Sequence, residues 1–301
     1  MKETILIAGG TGLIGSRLVE LIDSSQYDIK ILSRSRKNDE GHISYYQWDL
    51  DQMTIDSEAL EADYIINFTG AGIADSRWSE ERKKVLIDSR VKSAELIKKG
   101  LEENNKKVKA YISASAIGFY GDRGEEVLTE DSDNGDMESF MVKCCVLWED
   151  AAKMLSNYCD RLIINRIGLV LSPDGGALPK ILMTKALGVY AYFGNGKQYY
   201  PWIHIDDVCE IFLQPLKDQS YQGIYNTVSP EPLPNKKFTE IIKNTLNGWV
   251  TVPAPTLALR LAMGEIADVV LNSNRVVPKN LERHNFKFKF TSLSDAIKDL
   301  V

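Results

Sequence analysis

The sequence predicts an α/β fold: a doubly wound parallel sheet followed by a smaller C-terminal α/β lobe. Three observations carry this. Short apolar runs alternate with amphipathic stretches through the first half, a glycine-rich turn joins the first pair, and glycine and proline break the rhythm after Leu171. The strand candidates are 4–8, 29–32, 43–48, 64–68, 108–113 and 161–166, and their mostly apolar character suits strands covered on both faces. Helical periodicity falls between them at 13–22, 79–103 and 140–156. In the second half, Pro173, Gly175, Gly176, Gly194, Gly196 and Pro201 punctuate the chain, with helices expected over 206–216, 235–246 and 256–271. The expected division is 1–171 and 172–301, with the chain free to cross between the lobes.

Composition bounds the function. The chain has 301 residues, 44% hydrophobic and 26% charged, enough for a substantial core. A net charge of -6 offers no whole-protein attraction for nucleic acid or an anionic membrane. The N-terminal MKETILIAGG lacks a secretory apolar stretch, and no window approaches a spanning helix, so a cytoplasmic location is expected. Cys144, Cys145, Cys159 and Cys209 form no Cys-x-x-Cys pair; they read as free thiols, with no metal site.

The segment Gly9-Gly10-Thr11-Gly12-Leu13-Ile14-Gly15 follows an apolar strand and opens a helix. Gly9 permits the tight turn, Gly12 lets backbone approach a pyrophosphate, and Gly15 lets helix and strand pack closely, with the helix N-terminus offering N–H groups to phosphate. This is the pattern of a Rossmann-type dinucleotide site. About 20 residues on, a site for NAD places an acid on the ribose. Here Ser33-Arg34 stands instead, and Arg34 could fork onto a 2′-phosphate, so NADP(H) is the expected cofactor and NAD(H) the lesser candidate. Asp49 and Leu50 end the third strand where an adenine would be met, although Asp49 equally suits a turn. Thr69-Gly70-Ala71 is small enough to let the cofactor pass.

GGTGLIG, NFTGA, SASAIGFYG and GNGKQYYPWIHIDD together resemble the extended short-chain dehydrogenase/reductases, the nucleotide-sugar epimerases and dehydratases. SASAIGFYGDRGEE, Trp148-Glu149, RIGLVLSPDGGAL and GEIADVVLNSNRVVPKNL resemble more closely an atypical subfamily called epimerase family proteins, some of them labelled cell-division inhibitors. The resemblance spans nearly the whole chain and implies the fold and the cofactor; it brings no substrate with it.

In that group a serine polarises the substrate oxygen, and a tyrosine four residues before a lysine moves the proton. Ser115 best matches the serine, with Ser113 beside the cofactor. The tyrosine-lysine pair is absent: Met141 and Cys145 stand at those positions, and Lys143 points to the opposite side of the helix. Tyr120 could be a relocated acid or a packing residue, Cys145 a reactive thiol or a core residue, and His204 a base or a structural hydrogen-bonder. Gln198 and Trp202 are the substrate-lobe candidates. Arg166 and Asp206 could link the lobes, and Arg275 could close the pocket. Two readings follow. One is an NADP(H)-dependent oxidoreductase or epimerase-like enzyme acting on a small molecule; the other is a non-catalytic NADPH-binding regulator or redox sensor. Either would be a monomer or homodimer.

Overall fold

In the computed structural model, which describes residues 2–35 and 37–301, the apolar runs of the first half become a parallel sheet. β1 (Glu3–Ala8), β2 (Tyr27–Ser33), β3 (Ile43–Asp49), β4 (Thr54–Ile55), β5 (Tyr64–Asn67), β6 (Val108–Ala116), β7 (Cys159–Ile167) and β8 (Gly223–Thr227) lie in the order β8-β7-β6-β5-β1-β2-β3-β4. Every pairing is parallel except β3 with β4. Alternate residues of the central strands enter two cores, Ile5 and Ile7 on one face and Leu6 and Ala8 on the other. Burial on both faces is why these strands are nearly continuous apolar runs rather than alternating ones.

Helix α1 (Leu13–Leu21) covers one face, while α2 (Glu80–Glu103) and α3 (Phe140–Lys153) cover the other. Ser79 caps α2 by accepting a hydrogen bond from the Arg82 N–H at 3.2 Å. β6 runs three residues beyond the expected end, which places Ser115 inside the strand. The expected helix over 256–271 is corrected: it spans Thr256–Met263, breaks at Gly264 with φ +64, and resumes as short turns. A positive φ ends an α-helix, and glycine adopts it without Cβ strain.

Leu169–Ser172 straddles the expected 171/172 boundary and pairs in parallel with Trp202–His204 in a small lobe sheet. The chain then returns. Helix α4 (Ile205–Lys217) packs on α1 and buries Val208, Cys209 and Phe212 in the large-sheet core, and β8 pairs with β7. The His204 Nδ1 caps α4, accepting from the Asp206 N–H at 3.1 Å, and its ring stacks on Phe290 at 3.9 Å. The Asp207 carboxylate accepts from the N–H groups of Lys289 (2.7 Å) and Phe290 (3.0 Å), tying α4 to the C-terminal segment. No helix among the described residues is long and apolar enough to cross a membrane.

Two tests follow from this packing. A Cβ on Gly15 would lie 2.7 Å from the Gly10 Cα and closer still to the Gly9 carbonyl. Gly15→Ala should therefore cost about 1–3 kcal/mol in denaturant unfolding, and an unchanged midpoint would refute the contact. Burial, opposed by the two backbone bonds, pushes the Asp207 carboxyl up to about 6. An acid raised on folding stabilises most below its unfolded pKa and loses that contribution as pH rises through about 6. Relative to Asp207→Asn, the wild type should lose on the order of 3 kcal/mol between pH 4 and 7; parallel stability curves would contradict this.

Candidate functional site

The carboxyl ends of β1 and β5 meet at the switch point where the sheet order reverses, with β2 on one side and β6 on the other. Gly9 has φ +81, and a side chain there would begin 3.0 Å from the Phe68 carbonyl carbon, so the glycine turn lies directly against the segment after β5. Gly12 caps α1 with no side-chain hydrogen bond, and the first turn holds no acid, which leaves its N–H groups for an anion. Thr11 and Gly12 are exposed, and a Cβ on Gly12 would meet only the Gly9 carbonyl, at 3.3 Å. Ile14 leans into the core, while the Leu13 methyls lie 3.4 Å from where side chains on Gly175 and Gly176 of the lobe would begin.

Across the turn, Asn67 accepts from the Thr69 N–H at 2.9 Å and donates to Ser93 and Tyr111. The Ala71 N–H donates to Ser89 Oγ, and the Ala71 carbonyl accepts from Arg90 at 3.2 Å. The Arg90 guanidinium backs Gly70 so closely that a Cβ there would sit 2.9 Å from its Cζ. This buried cation escaped the sequence reading; a single arginine among the apolar positions of α2 was its signal. Thr69 Oγ1 is buried with no hydrogen-bond partner among the described residues. An orphaned hydroxyl beside a glycine cradle and an uncapped helix end fits a bound diphosphate and ribose.

Ser33 is buried at the end of β2, and Arg34 follows it, exposed and without an ion-pair partner among the described residues. Arg36 lies outside the described residues. Asp49 uses Oδ1 to accept from the N–H groups of Asp51 (2.8 Å) and Gln52 (3.0 Å), the turn geometry, and it borders a cavity of about 380 Å³. Leu50 packs on the core beside it.

Ser113 and Ser115 are both buried on β6. Ser113 Oγ donates to the Ala114 carbonyl, whereas Ser115 Oγ donates to Glu149 Oε1 at 2.8 Å. Arg166 holds the same carboxylate with two bonds, Nε to Oε1 at 2.7 Å and Nη2 to Oε2 at 2.9 Å. Strand register sets Ser115 beside Arg166 and Arg166 beside Asn226, a polar row across β6, β7 and β8. Tyr120 completes it: its hydroxyl accepts from Arg166 Nη1 at 2.9 Å and lies 2.7 Å from Asn226 Oδ1. Burial, against the pull of Arg166, pushes that phenol up to about 12. The Phe119 ring covers the guanidinium at 3.5 Å.

The Arg166–Asp206 link is corrected, because Arg166 pairs with Glu149 whereas Asp206 pairs with Arg17 (2.9 Å) and Lys289 (3.0 Å). Met141 and Cys145 do face the turn after β6, lying 3.1 and 3.2 Å from where a Gly118 side chain would begin. Burial, with Cys144 adding, pushes the Cys145 thiol up, so it stays neutral. Trp202 is 1% exposed in the lobe core, so the expectation that it lines a substrate cleft is corrected to a packing role. Gln198 borders a cavity of about 420 Å³, with its amide nitrogen donating to the Phe193 and Val270 carbonyls. Arg275 lies over the Tyr199 ring at 5.1 Å. All four cysteines are free and buried, and no metal-binding group occurs among the described residues.

The family model described as NAD dependent epimerase/dehydratase matches residues 5–227, and a domain of unknown function (DUF1731) matches 254–300. An epimerase family protein of Staphylococcus saprophyticus is 33% identical over 98% of both chains. The human epimerase family protein SDR39U1, solved with NADPH, superposes with a TM-score of 0.87 at 25% identity, covering 99% of this chain and 98% of that one. The UDP-glucuronic acid 4-epimerase of Bacillus cereus, solved with UDP-glucuronic acid and NAD, has a TM-score of 0.78 at 14% identity over 99% and 97% of the two chains, a likeness of fold.

The buried pair gives the site its clearest test. Removing Glu149 strands the Arg166 guanidinium, so Glu149→Ala should cost about 3–5 kcal/mol by denaturant unfolding, with Glu149→Gln milder. A loss below about 1 kcal/mol in Glu149→Ala would show that the pair does not hold the row together.

Proposed function

The chain belongs to the NAD dependent epimerase/dehydratase family, and from that premise we propose that it binds NADP(H) and acts as an oxidoreductase or epimerase-like enzyme on a small molecule. The observation that carries the reading is the cradle at the switch point: an uncapped α1 N-terminus, with Thr69, whose hydroxyl has no partner among the described residues, set against the Gly9 turn. Gly9, Gly12 and the first-turn N–H groups would hold the diphosphate, Thr69 to Ala71 the ribose, and Ser33 with Arg34 a 2′-phosphate. Arg34 in place of an acid, and NADPH in the human relative, support the phosphorylated cofactor over NAD. The bound cofactor would supply or accept a hydride, leaving the protein to orient substrate and handle a proton. Four buried free thiols support a reducing, cytoplasmic setting.

One observation favours a second reading, a cofactor-binding regulator without turnover. The Ser115 proton is committed to Glu149, Tyr120 is engaged by Arg166 and Asn226, and Met141 and Cys145 hold no mobile proton.

NADPH titration followed by fluorescence tests the shared premise. Gly12→Val should abolish binding, and Arg34→Ala should weaken NADPH about tenfold or more while changing NADH little. Equal losses would overturn the NADP assignment. NADPH oxidation against a panel of carbonyl compounds, lost in Ser115→Ala, would support the enzyme; tight binding with no oxidation across the panel would favour the regulator.

A further inference from the structure

The 420 Å³ cavity has walls from both lobes: Gly124 and Glu125 from the loop after Tyr120, Asn195 and Gln198 from the lobe turn, and Thr256 and Arg260 from the 256–263 helix. That helix is an unusual wall. None of its residues is buried, and Leu257 and Leu261 are each 71% exposed, so packing contributes little to holding it. Eight residues are too few for a stable isolated helix. Pro253 and Pro255 precede it, and Gly264 at φ +64 follows it.

Polar contacts from one other segment fasten it. Arg77 Nη2 donates to the last helical carbonyls, Leu261 at 3.1 Å and Ala262 at 2.7 Å, as a cation at a helix C-terminus should. Lys83 Nζ pairs with Glu265 at 2.8 Å. Arg77 lies on the loop that joins Ala71 to α2, Lys83 lies in the first turn of α2, and the loop is braced by its own bonds. Arg82 donates to the Gly72 carbonyl at 2.6 Å, and Trp78 donates to the Ile73 carbonyl at 2.8 Å.

We propose that residues 256–265 form a strap, anchored beyond its end by the buried Ile266 and Ala267, that opens and closes the inter-lobe cavity, with Arg77 and Lys83 as a latch that the cofactor site tightens. The coupling rests on the reading that the glycine turn binds NADP(H). Cofactor contacts to Thr69 and Gly70 would fix the braced segment, and with it the position of the latch. A weakly packed helix opens by local unfolding at small free-energy cost, so the latch sets how often the cavity is accessible.

Hydrogen exchange of the full chain, with and without NADPH, tests this. In the wild type NADPH should slow exchange both at residues 9–15 and across 256–265. Arg77→Ala, at an exposed position, should speed strap exchange about two- to tenfold without cofactor, the effect of losing one or two hydrogen bonds. It should also abolish the NADPH effect on the strap while keeping protection at 9–15. Glu265→Gln should act in the same direction. Protection at 9–15 with an unchanged strap would overturn the coupling. A strap unaffected by both substitutions would overturn the latch. If NADPH protects neither region, the cofactor reading fails, and the comparison without cofactor still decides the latch.

Discussion

The approach of α1 to β1 at Gly15 is the contact on which the arrangement depends. There is no room for a Cβ between the helix and the Gly9–Gly10 turn. This fixes the helix axis over the strand, sets the uncapped N-terminus at the switch point, and lets α4 pack beside α1 on the same face of the sheet. The cradle and the seating of the lobe are therefore one packing decision, made by four glycines within seven residues.

Away from the glycines, the chain departs in a physically consistent way from the tyrosine-lysine chemistry that the resemblance to the extended short-chain dehydrogenase/reductases implies. Met141 and Cys145 bring no charge to the serine strand, while Glu149 and Arg166 bring two, both buried and bonded to each other. A buried ion pair is weak evidence for net stability, since desolvation offsets much of its attraction. Its effect here is geometric: it fixes the Ser115 hydroxyl and the Tyr120 ring in single orientations and joins β6, β7 and β8 at their carboxyl ends.

The sheet was legible because doubly buried strands must be apolar, and the glycine turn because its conformation excludes other residues. Arg34 was visible as an acid's absence. The Glu149–Arg166 pair was hidden because its partners lie 17 residues apart on different elements, and nothing in either segment specifies the other. Arg166 was assigned to Asp206 for the same reason: a charge advertises the need for a counter-charge but not which one meets it. Trp202 was misplaced because an indole suits a cleft wall and a core equally, and only the surrounding packing decides. The helix over 256–271 looked continuous because its periodicity runs through Gly264, whose positive φ is a tertiary outcome.

The return of the chain through α4 and β8 has a consequence for how the molecule is made. Until residue 217 has been synthesised the face that α4 covers stays uncovered, and until residue 227 has been synthesised β7 presents a bare edge. The nascent chain must therefore hold an incomplete sheet while the strands up to residue 204 emerge. Lobe and sheet are then completed together, as one cooperative unit, and a fragment ending near residue 171 would carry an edge open to aggregation.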